Sequence, residues 1–207
     1  MEIQFLTPEG IAAIDNLVDD SDIQDVADLI NWAIDHDIQL NMAHLDDLSM
    51  EPEENREDSE TKDFWARRNF SLELYPRLYK RISDRITDKA KEGFREYLET
   101  VGIDRNVESN MDLFQLSVVH VYREGDSLGK HVDCFDYGIV LYINDPSEYT
   151  GGDFKVTETG QTLKPVRNRM LIVPSNIMHE VEAVTSGARM VFSGFIAIGP
   201  NSMEREI

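Results

Sequence analysis

Two hydrophobic periods divide the 207-residue chain. Over the first half, apolar residues recur every three or four positions. From Met111 onward they alternate with polar ones. Residues 2–6 read as a short strand. Thr7-Pro8 reads as an N-cap with proline at the first helical position, followed by Ile11, Ile14, Leu17 and Val18 at helical spacing. Ser21 is a second N-cap candidate, ahead of Ile23, Val26, Ala27, Ile30 and Ala33 or Ile34, with acidic residues on the opposite face. A longer helix is expected over about residues 75–101. Its stripe is Leu78, Ile82, Ile86, Phe94 and Leu98, and Gly102 stands where a C-terminal cap belongs. Residues 46–62 hold too few apolar side chains to bury and read as a mobile acidic loop.

The alternating half predicts strands over residues 113–123, 138–144, 154–157, 161–163, 170–173, 179–184 and 189–197. Glycine and proline punctuate the gaps. Short strands following a helical stretch give an α+β class: a jelly roll with helices on one face. The expected division is an acidic helical region at 1–110, packed on a β core at 111–200.

Charge narrows the partners. The chain carries a formal net charge of -20, and residues 1–62 alone hold 18 of its acidic groups against 2 basic ones. Such a surface repels phosphate backbones, so a nucleic-acid substrate is not expected. No apolar run is long enough to cross a bilayer, and no basic segment with an apolar run follows Met1. Cys134 is the single cysteine, so no disulfide framework is possible within the chain. These features predict a cytoplasmic protein; they leave its oligomeric state open.

The chemistry concentrates in His131-Val132-Asp133, His179 and Arg189. Side chains two apart on a strand share a side, so His131 and Asp133 can converge. A second imidazole from His179 would complete the two-histidine, one-carboxylate set of non-haem Fe(II) oxygenases, which leaves metal positions open. Arg189 offers a planar fork suited to a carboxylate. Alternation puts His120 and Tyr122 on one face of their strand, Tyr142 opposite Leu141 and Ile143 on the next, and Arg189 with Ser193 on the last. Taken singly, each histidine reads as a hydrogen-bonded core residue; His36 and His44 read as surface or helix-end histidines. A cupin-like metal-binding module would share the jelly roll, but its motif needs an adjacent histidine and a glutamate that are missing here. A zinc hydrolase could use the same three ligands and would not need Arg189.

Tyr122, His131-x-Asp133, Leu141-Tyr142-Ile143-Asn144, Gly151-Gly152-Asp153-Phe154, His179-Glu180-Val181, Arg189 and Ser193 occur in that order. This set, across roughly residues 111–198, resembles the prolyl-hydroxylase branch of the Fe(II)/2-oxoglutarate dioxygenases. The resemblance implies a double-stranded β-helix with Fe(II) held by His131, Asp133 and His179. It implies 2-oxoglutarate chelating the iron, with its far carboxylate on Arg189 and on Tyr122, Tyr142 and Ser193. Phe154 and Val181 would line that pocket. It further implies O2 as co-substrate, ascorbate as a candidate accessory reductant, and hydroxylation of a C–H bond with release of succinate and CO2. The substrate implied is a prolyl residue in a peptide or protein, with a free amino acid or other small metabolite as the alternative. Arg189 matches the oxygen-sensing type, whereas collagen-type enzymes carry lysine there. Leu128 stands where the family usually has tyrosine, and Phe135-Asp136-Tyr137-Gly138 where an arginine commonly precedes the Tyr-Leu-Asn strand. Asp133 implies hydroxylation rather than halogenation, which uses a small residue at that position.

Overall fold

Alternation in the second half of the chain builds two antiparallel sheets in the computed structural model. The model describes residues 2–35, 69–71, 76–103, 111–114, 118–133 and 135–198. The 46–62 loop, His36, His44 and Cys134 lie outside the described residues. The larger sheet runs, edge to edge, β1 (Gln4–Phe5), β2 (Ala12–Asp15), β11 (Arg169–Pro174), β7 (Tyr137–Tyr142), β13 (Val184–Ile198), β5 (Val118–Arg123) and β3 (Asn69–Ser71). Strands β4 (Met111–Phe114) and β8 (Tyr149–Gly151) also pair with β13. The smaller sheet runs β10 (Thr162–Leu163), β9 (Phe154–Val156), β12 (His179–Val181) and β6 (Leu128–His131). The two sheets close on each other as a double-stranded β-helix.

Period-two alternation sends each strand of the larger sheet into two cores. Met190, Phe192, Leu141, Ile172, Val119 and Val121 face outward and are buried beneath two helices. These are α1 (Asp20–Asp35) and α2 (Pro76–Thr100), which contribute Ile23, Val26, Ala27 and Ile30, and Ile82, Ile86, Ala90, Phe94 and Leu98. Tyr122, Tyr142, Leu171, Val173 and Val191 face inward and pack with Phe154, Val156 and Val181 of the smaller sheet. Apolar spacing thus located both helices. Gly102 (φ 79°) ends α2 as expected: Ile103 N–H donates to Leu98 C=O (2.9 Å) and Gly102 N–H to Glu99 C=O (3.1 Å).

The first predicted helix is not formed. Thr7 caps a turn instead, its hydroxyl accepting from Ile11 N–H (3.3 Å), and the chain enters strand β2. Ile11 to Ile14 are four successive buried residues. Ile11 and Ala13 enter the interior between the sheets, while Ala12 and Ile14 enter the helix-side core. A strand buried on both faces reads as a continuous apolar run, and residues 11 and 14 also fit a helical stripe. The exposed edge of β11 decided the outcome by supplying a hydrogen-bonding partner. Helix α1 likewise begins at Asp20, so Ser21 lies within its first turn rather than capping it.

Polar clamps fasten this N-terminal segment to the β core. The buried Asn168 amide donates to Val18 C=O (2.7 Å) and accepts from Val18 N–H (3.2 Å), spanning 150 residues of chain. Arg169 forks onto Asp15 (2.6 and 2.8 Å) and holds its carboxyl below the ordinary range. Arg167 pairs with Asp20 (2.8 Å), and Arg85 of α2 with the buried Asp22 of α1 (2.8 Å). Among the described residues, no helix is long and apolar enough to cross a membrane. Asn168→Ala strands the buried peptide of Val18. We expect it to lower stability by roughly 1–3 kcal/mol in urea unfolding, with little change in the slope of the transition.

Candidate metal centre and anion pocket

His131 is the last residue of β6 and His179 the first of β12, and the two are register partners. That pairing sets the imidazoles side by side, ring centroids 4.2 Å apart. Strand β6 stops at His131, so Asp133 is placed by its own backbone: its N–H donates to Ser175 C=O (3.2 Å). The Asp133 Oδ1 then lies 3.8 Å from His131 Nε2 and 4.0 Å from His179 Nε2. One ligand atom from each of the three residues falls within 4.8 Å of the others.

Both ring orientations are fixed from behind. His131 Nδ1 contacts Gly129 C=O (2.7 Å) and His179 Nδ1 contacts Ile177 C=O (2.9 Å). A carbonyl only accepts, so each Nδ1 carries the proton and each Nε2 presents a lone pair. Burial holds His179 below its ordinary pKa, which keeps the ring neutral. Burial pushes the Asp133 carboxyl up, with the two imidazoles pulling the other way. Two imidazole nitrogens and a half-buried carboxyl thus converge, an arrangement that suits a divalent cation.

Gly138 makes room for the carboxyl. A Cβ at this position would overlap Asp133 Oδ2 and sit 3.3 Å from its Cγ. On the other side, the Phe154 ring stacks on His179 (4.7 Å, 16°), and Val181 is register partner to Phe154. Phe154 and Val181 are both buried in the interior cluster.

The second feature of the interior is a buried cation without a counter-charge in hydrogen-bond reach. Arg189 of β13 is 1% exposed, and its Nε and Nη1 have no hydrogen-bond partner among the described residues. Its guanidinium carbon stands 4.9 Å from the Tyr122 ring and 5.3 Å from the Tyr142 ring. The Tyr142 and Tyr149 hydroxyls are buried beside it, and the Tyr149 hydroxyl has no hydrogen-bond partner among the described residues. Burial raises both phenol pKa values, and the charge of Arg189 pulls each back down. Gly152 (φ 68°) forms the wall beside Arg189, where a Cβ would sit 2.9 Å from the Arg189 Cδ and 3.0 Å from Val184 Cγ2. Leaving a charged group so buried and unpaired costs several kcal/mol, to order of magnitude. A carboxylate seated against Arg189, Tyr142 and Tyr149 removes that cost.

His131, Asp133 and His179 therefore meet as one cluster, and Arg189, Tyr122 and Tyr142 as a second group in the same interior. Ser193 lies on the same face of β13 as Arg189, opposite Val140, and is half-buried. Tyr149 and Gly138 were not singled out from the sequence. Tyr149 sits on a three-residue strand whose length gives no periodicity to read. Gly138 matters through a contact with a residue five positions away, which no pattern encodes.

A jelly roll gathering two imidazoles, a carboxylate and a buried arginine in one interior defines a mononuclear metal-centre fold with an adjoining anion pocket. Residues 117–197 match the model of the 2OG-Fe(II) oxygenase superfamily. Fe(II), 2-oxoglutarate and dioxygen are the metal and co-substrates of that superfamily. The chain is 35% identical over 94 residues to a PKHD-type hydroxylase of Prochlorococcus marinus, covering 41% of this chain and 42% of that protein. It is 37% identical over 84 residues to one of Acaryochloris marina, covering 36% and 38%. The matched region thus spans about two fifths of the length of these relatives. The fold is similar to that of the viral collagen prolyl hydroxylase of Paramecium bursaria Chlorella virus-1. That similarity has a TM-score of 0.53 at 18% identity, and covers 93% of this chain and 98% of that one.

Gly138→Ala is expected to push the Asp133 carboxyl aside. Metal affinity should fall about tenfold or more, the scale of lost ligand support. Titration with Co(II) reads the loss, and circular dichroism should report an unchanged fold.

Proposed function

We propose that this chain is an Fe(II)- and 2-oxoglutarate-dependent dioxygenase that hydroxylates a C–H bond. The observation that carries this reading is the pairing of two unmet demands in one interior. Three ligand atoms suited to one cation converge, and a buried guanidinium keeps its Nε and Nη1 unbonded among the described residues. In this reading His131, Asp133 and His179 hold the metal. Arg189 takes the far carboxylate of 2-oxoglutarate, joined by the hydroxyls of Tyr142 and Tyr149, with Tyr122 and Ser193 on the same inner wall. A zinc hydrolase would use the first set and leave the second without a purpose.

When bound, Fe(II) with 2-oxoglutarate and dioxygen supplies the oxidising chemistry, converting the keto acid to succinate and CO2 as a C–H bond becomes C–OH. The chain contributes orientation and exclusion of water. The backbone carbonyls of Gly129 and Ile177 keep the two imidazoles aimed. Arg189 fixes the length and direction of the co-substrate. Phe154, Val181 and Val191 give the pocket apolar walls. Val132 and Met178, each next to a histidine of the cluster, are 49% and 38% exposed and offer an apolar surface beside it. A prolyl residue in a peptide is the substrate this reading puts first, on the strength of the ordered motif set.

Anaerobic titration with Fe(II) and 2-oxoglutarate should give a weak visible charge-transfer band, lost in His131→Ala. An intact fold that gives no band would count against the assignment. Arg189→Ala should weaken 2-oxoglutarate binding about 100-fold, the scale of a lost charge-assisted pair, while leaving iron affinity nearly unchanged. Equal loss of both would refute the clamp. Succinate release should be stimulated more by proline-containing peptides than by free amino acids, with mass spectrometry reading the gain of one oxygen atom. The reverse ranking would move the substrate class to small metabolites.

A further inference from the structure

Strand β7 runs beside β13 as far as the Tyr142–Val191 pair, and Ile143 N–H still donates to Met190 C=O (3.0 Å). The chain then turns away into a short 3-10 turn, Pro146–Glu148, capped by the Asp145 side chain. The backbone ladder therefore ends beside Arg189, the residue whose placement the anion pocket depends on. The side chain of Asn144 continues the ladder. Its Nδ2 donates to Ala188 C=O (2.8 Å), and its Oδ1 accepts from Met190 N–H (2.9 Å). These groups belong to the two residues flanking Arg189. Only one orientation of the amide satisfies both, since one partner accepts and the other donates. Asn144 is 2% exposed, and its Nδ2 also reaches the Glu148 carboxylate (3.3 Å). On the opposite edge of β13, Arg189 is register partner to Tyr122 of β5.

We infer that Asn144 is a positioning residue for Arg189. Its amide stands in for a missing strand and fixes the backbone from which the guanidinium reaches the anion pocket. This inference rests on the reading of Arg189 as the clamp for the far carboxylate of 2-oxoglutarate. The geometry separates it from general scaffolding. Asn144 bonds the residues on both sides of Arg189, and its hydrogen bonds among the described residues go to Ala188, Met190 and Glu148 rather than to His131, Asp133 or His179. Loss of the amide should therefore loosen the anion pocket and spare the metal cluster. A glutamine at this position keeps both the donor and the acceptor but carries them one methylene further from the backbone, so it should fall between the wild type and alanine.

Two measurements on the full chain test this. The first is the dissociation constant of 2-oxoglutarate for the anaerobic Fe(II) protein, read by quenching of intrinsic fluorescence, alongside Fe(II) affinity itself. Asn144→Ala should weaken 2-oxoglutarate about tenfold, the scale of losing a buried hydrogen bond or two, with iron binding unchanged within about twofold. Asn144→Gln should give a smaller shift. The second is the exchange with water of the buried Arg189 Nε–H, followed by NMR without any co-substrate. It should quicken in Asn144→Ala and, to a lesser degree, in Asn144→Gln. Unchanged exchange, or iron and 2-oxoglutarate lost in equal measure, overturns the inference. If the wild type fails to bind 2-oxoglutarate, the proposed function falls, while the Nε–H exchange still decides whether Asn144 orders Arg189. If the alanine variant does not fold, the glutamine variant carries both measurements.

Discussion

Strand β13 is where the constraints of this fold meet. It pairs with β5 and β7 on its two edges, and with β4 and β8 along its length. Its side chains alternate between two cores of opposite purpose: Met190 and Phe192 pack under the helices, whereas Arg189 and Val191 point between the sheets. A slip of one residue would drive a guanidinium into an apolar layer and turn two large hydrophobes into the pocket. The apolar demand of the helix-side core thereby fixes the direction of the buried Arg189 cation. Packing energy, which is non-directional, becomes specific through the period of the strand.

The interior it faces holds two separate polar groups. At one, His131, His179 and Asp133 turn lone pairs toward each other, their rings locked by the carbonyls of Gly129 and Ile177. At the other, Arg189 is enclosed by aromatic rings whose faces attract a cation but cannot accept its N–H groups in line. In the proposed reading, each group meets one end of a keto acid bound through a metal. Such opposed groups, held apart by the apolar walls of Phe154, Val181 and Val191, select a ligand by length as well as by charge. Gly138 and Gly152 serve the two ends in parallel ways. Each withholds a side chain where a functional group must lie against the backbone.

The N-terminal third is built into this frame rather than appended to it. Strands β1 and β2 extend the larger sheet through β11, and α1 and α2 cover its outer face. Asn168, Arg167 and Arg169, consecutive in the turn before and at the start of β11, reach Val18, Asp20 and Asp15. Part of the acidity of this region thus has a structural use. Three basic or amide side chains of the β core meet acidic or backbone groups supplied by the first 20 residues.

The sequence by itself determined the two helices, the change from helical to alternating period, and the residue types of the candidate site. Those features are local or ordered along the chain. A helix shows in a stripe of apolar residues, and the triad and Arg189 show in spacing that a jelly roll repeats. The turn at Thr7 escaped because Ile11 and Ile14 fit a strand and a helix equally, and only the free edge of β11 broke the tie. Tyr149, Gly138 and the Asn144 amide acquired their parts through contacts that no period along the chain records. Tertiary structure alone decided where the guanidinium is left without a partner and which side chain completes the ladder beside it. Both depend on which strands end and which continue at one place in space, and that information does not exist until the sheets have closed.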